Sequence, residues 1–255
     1  MTPTIPILNP TQMSAFNAIE NTHSNLLILG PAGTGKSTFV NYLKSMSKKR
    51  IVCACPTAVS ALNVGGQTIH SLFQIQPRDF IMPEFLKLKA KPRNILTATD
   101  VLIIDEISMV APDLLDAIDI LARYARHNNE PFGGIQVVAI GDLFQLPPVI
   151  TRDSTQYYAT EYGHPNAYFF DSNVYKRADF IKFNFDFVYR QSDVPLLDNL
   201  VRLRNNDTTA LEFFNTCRID DTERRTNAVI ITPFRAVAER INATRLAQIN
   251  ETSVV

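Results

Sequence analysis

The sequence has no excess of charge and no apolar run long enough to cross a bilayer. Its 25 Lys and Arg residues balance its 25 Asp and Glu residues, so net charge gives no sign of nucleic-acid binding, and any such surface has to be a local groove. A spanning helix needs about 18 apolar residues in succession, and residues 1–10 lack the pattern of a secretory signal. We expect an intracellular protein without a membrane partner, in the cytoplasm if the source is bacterial or viral, and in the nucleus or a mitochondrion if it is eukaryotic.

Cysteine is also scarce, with three residues in the whole chain. Three cysteines cannot form a disulfide framework of the kind that small secreted domains need. Cys53 and Cys55 alternate along an apolar run, so they face one side of a predicted strand. Buried thiols are the favoured interpretation. Metal binding or redox chemistry is the weaker alternative, because Cys217 has no clear His or Cys companion.

Residues 30–37 match the pattern of a phosphate-binding loop, G-x-x-x-x-G-K-[ST]. In this pattern the glycines let backbone N–H groups surround a polyphosphate, Lys36 reaches the β- and γ-phosphates, and the Ser37 hydroxyl holds Mg²⁺. An apolar run at 26–29 precedes the loop and a helical pattern follows it, which aims a helix N-terminus at the anion. A glycine-rich turn without a ligand is the alternative, but this context favours a nucleoside triphosphate. The residues expected at the nucleotide are Gly30, Pro31, Ala32, Gly33, Thr34, Gly35, Lys36, Ser37 and Thr38.

Short apolar runs alternate with helical patterns along the chain, which is typical of a parallel α/β sheet with helices on both faces. The predicted strands are 26–29, 51–55, 101–104, 135–140, 181–187 and 228–231, and the predicted helices are 11–21, 37–46, 57–64, 112–127, 195–204 and 233–249. Because residues 151–165 are polar and irregular, we place a first domain at 1–178 and an incomplete second αβ domain at 179–255. The aromatic stretch 168–189 is expected to pack in a core.

The strand predicted at 101–104 ends in two carboxylates, Asp105 and Glu106. A strand tip beside a phosphate loop is where an Mg²⁺-binding aspartate is needed, and an adjacent glutamate can polarise the attacking water. We therefore predict that Asp105 binds magnesium and that Glu106 is the general base, with an ordinary Asp-Glu turn as the alternative. Gln145 follows the next strand, and its amide is predicted to contact the γ-phosphate or the attacking water, although a plain loop is also open.

Four segments between residues 105 and 149 make the chain similar to a known family. They are Asp105-Glu106-Ile107-Ser108-Met109, Leu114-Leu115-Asp116, Pro131-Phe132-Gly133-Gly134-Ile135-Gln136 and Gly141-Asp142-Leu143-Phe144-Gln145-Leu146-Pro147-Pro148-Val149. They closely resemble the PIF-one family, the RecD-like helicases of superfamily one, and the likeness extends from residue 8 almost to the end of the chain. It implies a RecA-like P-loop NTPase core followed by a partial second one, ATP and Mg²⁺ as cofactors, and single-stranded and forked DNA as partners. Roles in DNA repair, recombination and telomere maintenance would fit such a helicase, and we expect a monomer.

The same resemblance assigns further residues. Leu8-Asn9-Pro10-Thr11-Gln12 looks like the family's Q-motif, in which Gln12 would read the adenine edge with an amide that both donates and accepts. Two segments resemble its early DNA-contacting motif, where hydroxyls and backbone amides hold phosphates and rings pack on sugar or base. The residues implied there are Pro56, Thr57, Thr68, His70, Ser71 and Phe73. A buried, hydrogen-bonded ring is an alternative for His70, and core packing is the favoured alternative for Phe73.

Val188-Tyr189-Arg190-Gln191 resembles the family motif that supplies an arginine to the γ-phosphate. Thr232 would contact DNA by the same likeness, although the family's Thr-Asn pair is replaced here by Thr-Pro. The family's later motifs have no counterpart, so the chain looks like the N-terminal half of such a helicase. We expect an ATP-dependent DNA helicase motor that moves 5′→3′ with weak activity by itself. The alternatives are a nucleotide-dependent module that binds single-stranded DNA without turnover, and a P-loop kinase or remodelling ATPase, which leaves residues 131–149 unexplained.

Overall fold

The computed structural model describes residues 6–189, 193–216, 229–232 and 234–248. The chain divides into two compact units, Met1–Val194 and Pro195–Val255. All strands of the described residues lie in the first unit. None of the helices in the described ranges combines the length and the apolar character that crossing a bilayer requires.

The first unit is built on a parallel sheet. Its strands are β1 (Asn25–Leu29), β2 (Ile51–Cys55), β3 (Gln67–Thr68), β4 (Val101–Ile104), β5 (Gln136–Gly141) and β6 (Phe180–Asn184). They pair in parallel in the order β3-β2-β4-β5-β1-β6. Along β4, Val101 and Ile103 pack into one apolar core, whereas Leu102 and Ile104 pack into another on the opposite face. The predicted α/β architecture is therefore confirmed, because strands covered on both faces are apolar at successive positions.

Helices supply the other side of each core. The helices are α1 (Pro10–Asn21), α2 (Lys36–Met46), α3 (Ala58–Asn63), α4 (Ile69–Phe73), α5 (Ala90–Ala98), α6 (Pro112–Arg126), α7 (Thr155–Tyr162), α8 (Asn173–Arg177), α9 (Val194–Arg204), α10 (Ala210–Thr216) and α11 (Arg235–Ala247). Helices α1, α2 and α3 contribute to the core that contains Val101, and α4, α5, α6 and α8 contribute to the core that contains Leu102. Four short 3₁₀ turns lie among the described residues, at Pro83–Phe85, Ile107–Met109, Pro131–Gly134 and Phe169–Asp171.

The boundary predicted after residue 178 lies too early. Strand β6 pairs with β1 in register from Asn25 with Phe180 to Leu29 with Asn184, so it completes the first sheet and does not begin a second domain. The first compact unit extends to Val194. The aromatic stretch 168–189 packs in the core at Phe169 and Phe185, but Phe187 is 63% exposed.

Residues 151–165, which were expected to be irregular, contain helix α7. Its positions are exposed or partly buried except for one buried residue, Tyr158. The Tyr158 hydroxyl donates to the buried Asp113 carboxylate over 3.0 Å. A hydrogen bond between residues 45 positions apart leaves no periodic signal, so the sequence pattern could not predict this helix.

In the described part of the second unit, α9 from Pro195 onward, α10 and α11 lie among irregular segments. Residues 229–232 form no strand, which contradicts the described part of the strand predicted at 228–231, and Val229 and Ile231 are 89% and 94% exposed. An apolar run forms a strand only where a neighbouring strand pairs with it, and within the described residues nothing pairs with this one. The prediction that this unit is a partial RecA-like domain stays a prediction.

Cys53 and Cys55 are buried in β2, as expected for packed thiols. Burial raises the pKa of Cys53 to about 11 and that of Cys55 to about 12, so both stay protonated and unreactive near neutral pH. Cys217 lies outside the described residues.

Candidate nucleotide-binding site

The phosphate-binding pattern lies in a loop between β1 and α2, at the carboxyl edge of the sheet. Gly33 and Gly35 both have φ of +82°, a conformation that side chains other than glycine rarely adopt. Gly30 needs its lack of a side chain for a different reason, since a Cβ there would lie 2.5 Å from the carbonyl oxygen of Phe185. Gly35 is the N-cap of α2, so the helix N-terminus opens onto the loop and favours an anion there.

Lys36 lies across this loop. Its Nζ donates to the carbonyl oxygens of Gly30 and Pro31 over 2.7 and 2.9 Å. Buried Thr34 donates from its hydroxyl to the same Pro31 carbonyl over 2.9 Å. The lysine charge is therefore held at the mouth of the loop, within reach of a phosphate that the loop would bind.

Two carboxylates follow β4 at the same edge of the sheet. Asp105 is buried, and this burial raises its pKa to about 6, while the charge of Lys36 acts in the opposite direction. The backbone N–H of Glu106 donates to Asp105 Oδ1 over 3.0 Å. Glu106 itself has φ of +55°, which costs about 1–3 kcal/mol for a residue with a side chain and is most often found at functional positions.

Gln145 follows β5, the strand between β4 and β1. Its exposed side chain completes the wall of a cavity of about 420 Å³. The other lining residues are Ala32, Gly33, Gly35, Lys36, Ser37, Thr38, Asp105, Glu106 and Tyr189. The structure thus brings together the phosphate loop, both carboxylates and Gln145, which are far apart in sequence.

Gln12 begins α1 and also touches the phosphate loop. Its backbone N–H donates to Asn9 Oδ1 over 2.8 Å, and its Oε1 accepts from the Asn9 backbone N–H over 3.1 Å, which together form a capping box. Its Nε2 donates to the Thr34 carbonyl oxygen over 3.3 Å. Gln12 therefore both starts the helix and contacts the phosphate loop.

Tyr189 is a site residue to which sequence reasoning gave no role. Its backbone N–H donates to the Gly33 carbonyl oxygen over 2.8 Å, and its hydroxyl accepts from Asn9 Nδ2 over 3.0 Å. A Cβ on Gly35 would lie 3.5 Å from its ring. The signal available in the sequence was the aromatic residue directly before Arg190, in a segment that already resembled a catalytic motif.

The residues expected to contact DNA divide into two groups. Pro56 and Thr57 follow β2, and Thr68 ends β3, whose last pair is Cys55 with Thr68. These residues and exposed Ser71 therefore lie at the carboxyl edge of the sheet. The hydroxyl oxygens of Thr57 and Thr68 accept from backbone N–H groups as helix N-caps, at 3.2 Å in both cases. The Thr57 hydroxyl also pairs with the Ser60 hydroxyl, whereas the Thr68 hydroxyl hydrogen is left for another acceptor.

The second group is less available to DNA. Phe73 is 1% exposed and belongs to the core, so its predicted stacking on DNA is wrong and the core-packing alternative holds. The half-buried His70 ring pairs through Nδ1 with the Ile75 carbonyl oxygen over 3.2 Å. Thr232 Oγ1 accepts from the Phe234 backbone N–H over 3.3 Å. Its contact with DNA stays a prediction. Arg190 lies outside the described residues.

Comparisons with known proteins agree with this arrangement. The profile of the family described as PIF1-like helicase matches residues 7–193. The ATP-dependent DNA helicase PIF1 of Saccharomyces cerevisiae is 34% identical over 259 residues, which cover 96% of this chain and 29% of the yeast protein. The ATP-dependent DNA helicase Pif1 of Bdellovibrio bacteriovorus is 29% identical over 254 residues, covering 97% of this chain and 55% of that protein.

Two solved structures are similar over nearly the whole chain. The Bacteroides Pif1 helicase in complex with ADP-AlF3 and ssDNA has a TM-score of 0.86 and 35% identity, covering 97% of this chain and 58% of that one. A structure on DNA unwinding at forked dsDNA by two coordinating Pif1 helicases has a TM-score of 0.86 and 36% identity, covering 94% and 58%. The parallel sheet of the first unit is thus a RecA-like core. The chain spans less than two thirds of the length of each of these relatives.

Proposed function

The chain belongs to the PIF1-like helicase family, and on that premise we propose that its first unit is the ATP-hydrolysing motor of a DNA helicase. One observation carries the proposal. Lys36, Ser37, Asp105, Glu106 and Gln145, from three separate strand ends, line one cavity of about 420 Å³. Phosphoryl transfer is catalysed mainly by positioning and by charge stabilisation, and this cavity supplies a cation, two carboxylates and an amide together.

The residues of the cavity also fit a magnesium ion. Mg²⁺ prefers hard oxygen ligands and takes only one or two carboxylates with phosphate oxygens and water. The Ser37 hydroxyl and the buried Asp105 carboxylate line the same cavity, and we assign these two residues to the ion. When bound, Mg²⁺ would neutralise charge on the β- and γ-phosphates.

The remaining steps belong to side chains of the chain itself. Lys36 Nζ exchanges its bonds to the Gly30 and Pro31 carbonyls for bonds to the β- and γ-phosphates. Glu106 accepts a proton from the attacking water, and Gln145 orients that water. We keep Arg190 as the expected donor to the γ-phosphate, on the likeness of its motif alone.

We assign the adenine base of the nucleotide to the side of the cavity formed by the phosphate loop. A Cβ on Gly35 would lie 3.0 Å from Gln12 Nε2 and 3.5 Å from the Tyr189 ring, so an amide and an aromatic face meet beside the phosphate loop. The Gln12 amide can pair with the adenine edge, since it both donates and accepts. The Tyr189 ring, half exposed, provides a stacking surface for the base.

Single-stranded DNA is assigned to the carboxyl edge of β2 and β3. Thr68 offers a hydroxyl hydrogen there, and the Thr57 hydroxyl, which pairs with that of Ser60, lies at the same edge. Hydroxyl donors suit phosphate contacts that carry no sequence preference. Among the relatives, a Bacteroides Pif1 structure contains ssDNA, and another concerns forked dsDNA. We propose both as substrates of the motor, with 5′→3′ movement taken from the family resemblance.

The test separates binding from hydrolysis. A fluorescent ATP analogue is titrated with Mg²⁺ against the parent chain, Lys36→Ala, Glu106→Gln and the matched control Lys48→Ala, which removes the same charge from an exposed lysine. Lys36→Ala is expected to lose most of the affinity for the ATP analogue, because it removes the positive charge that contacts the β- and γ-phosphates of the bound nucleotide. Glu106→Gln should bind like the parent, because Glu106 acts only on the water. Equal affinity of Lys36→Ala and Lys48→Ala would overturn the assignment.

Phosphate release with and without single-stranded DNA then distinguishes the motor from the alternative binding module. The motor releases phosphate, and Glu106→Gln abolishes that release. A module that binds ATP and DNA without turnover would instead give no release from the parent chain, and the variant would be indistinguishable from it.

A further inference from the structure

We propose that Asp142 is a positioning residue, a buried carboxylate that fixes the side-chain amide of Gln145 in one orientation toward the γ-phosphate. This inference rests on the proposed ATP site. Asp142 lies directly after β5 and is 2% exposed, whereas the Gln145 side chain is exposed and lines the nucleotide cavity. A charged side chain is rarely buried so deeply unless hydrogen bonds compensate for the loss of water.

Gln145 is held at both ends by this one residue. Its backbone N–H donates to the Asp142 carbonyl oxygen over 3.0 Å, and its Nε2 donates to Asp142 Oδ2 over 3.0 Å. The other carboxylate oxygen, Oδ1, accepts from the Phe144 backbone N–H over 3.1 Å. The turn from 142 to 145 and the direction of the amide therefore depend on the same carboxylate.

The carboxylate also decides which end of the amide faces it. An ionised carboxylate only accepts hydrogen bonds, so it pairs with Nε2 and not with Oε1. This leaves Oε1 and the second N–H of Gln145 for other partners. The amide can then accept from the attacking water and donate to a γ-phosphate oxygen, which is the polarity that an amide needs to orient that water.

Asp142 is itself fixed relative to the phosphate loop and to Glu106. The neighbouring Gly141 accepts from the Gly30 backbone N–H over 3.2 Å. A Cβ on Gly141 would lie 2.9 Å from Ile107 Cγ2 and 3.1 Å from the Ile107 backbone nitrogen, so the end of β5 is in close contact with the turn that follows Glu106. Because of these contacts, Asp142 places Gln145 relative to the phosphate loop and the proposed base.

The test uses nucleotide binding, so it does not depend on turnover. Fluorescent ADP and a fluorescent non-hydrolysable ATP analogue are titrated with Mg²⁺, and the ratio of the two dissociation constants reports γ-phosphate recognition. Asp142→Ala is expected to lower this preference for the triphosphate roughly tenfold, as Gln145→Ala does, because each loses about one charge-assisted hydrogen bond. The ADP affinity stays unchanged. Combining both substitutions adds no further loss, because the carboxylate acts through the amide.

Two further variants keep the result decisive. Asp142→Asn preserves volume and the bond to the Phe144 N–H but presents an N–H donor to Gln145, which favours the reversed amide, so it is expected to fold like the parent and lose part of the preference. Asp153→Ala removes an exposed carboxylate from the turn before α7 and should match the parent. The inference is overturned if neither Asp142 variant alters the ratio, or if the double variant loses the product of the two single losses. A parent chain that binds neither nucleotide would instead contradict the proposed function.

Discussion

Replacing Gly35 with alanine perturbs the phosphate loop and the base contact at once. Gly35 has φ of +82°, and an added Cβ would lie 3.0 Å from Gln12 Nε2. That amide nitrogen already bonds to the Thr34 carbonyl oxygen at 3.3 Å, so it has to move away from the loop. Gly163, the C-cap of α7, has φ of +77° and nothing within 4 Å of the position of a Cβ. It is therefore a matched control for the backbone effect alone.

The structure sets the size of each effect. Placing alanine in the left-handed region costs about 1–2 kcal/mol at either glycine. The Gly35 variant additionally weakens the hydrogen bond of Gln12, which costs about 0.5–1.5 kcal/mol. The entropy that alanine removes from the unfolded chain is common to both variants and cancels. We therefore expect Gly35→Ala to be less stable than Gly163→Ala by about 1 kcal/mol, and to be the only one of the two that loses nucleotide affinity.

Urea unfolding followed by far-UV circular dichroism measures the first expectation, since the chain has no tryptophan to report by fluorescence. Titration with a fluorescent ATP analogue measures the second. Equal free energies of unfolding for the two variants would show that Gln12 is not crowded by the new methyl group. Unaltered nucleotide binding by Gly35→Ala would refute the geometry of the loop.

Three further predictions concern the metal, the DNA edge and the core. Burial raises the pKa of Asp105 to about 6, so the ionised carboxylate that Mg²⁺ needs is lost as pH falls, and Mg²⁺-dependent nucleotide affinity should drop between about pH 7.5 and about pH 5. The Asp105→Asn variant should bind nucleotide weakly at both pH values. A pH-independent affinity in the parent chain would contradict the assignment of Asp105 to the ion. Thr68→Val should weaken the binding of labelled single-stranded DNA in fluorescence anisotropy, whereas Thr68→Ser should not. The logarithm of the binding constant should fall with the logarithm of the salt concentration with a slope of about −0.7 per phosphate contact. Tighter binding of blunt duplex DNA than of single strands would contradict the proposed DNA site at the carboxyl edge of β2 and β3. Phe73→Ala should cost about 3–5 kcal/mol of stability, because it removes a buried ring, and an unchanged urea midpoint would show that the ring is not in the core.

The sheet was predictable because burial on both faces leaves a mark in the sequence. The runs at 51–55 and 101–104 match β2 and β4 residue for residue, since each is apolar and bounded by polar turns. The strand β3 has two residues, too few for any periodicity. Helix α7 was missed because it is anchored through Tyr158 to a buried aspartate of α6, a contact that exists only in the folded chain.

The nucleotide site was predictable where one segment carries its own chemistry. The phosphate loop and the Asp105-Glu106 pair could be read directly, because each spacing is tied to a function. The roles of Tyr189 and Asp142 could not, since both arise from contacts with other elements. Tyr189 reaches Gly33 and Asn9 across more than a hundred positions, and Asp142 matters because the fold buries it beneath Gln145.

A crystal structure of this chain with ADP, aluminium fluoride and Mg²⁺ would show whether these residues form the ATP site. We expect the phosphates to lie in the loop at 30–37 and the fluoride group to lie beside Glu106 and Gln145. Ser37 Oγ and an Asp105 carboxylate oxygen should lie within about 2.0–2.1 Å of the ion or reach it through one water. Nucleotide bound elsewhere, or bound in this loop with Asp105 and Gln145 turned away from it, would contradict the proposed ATP site.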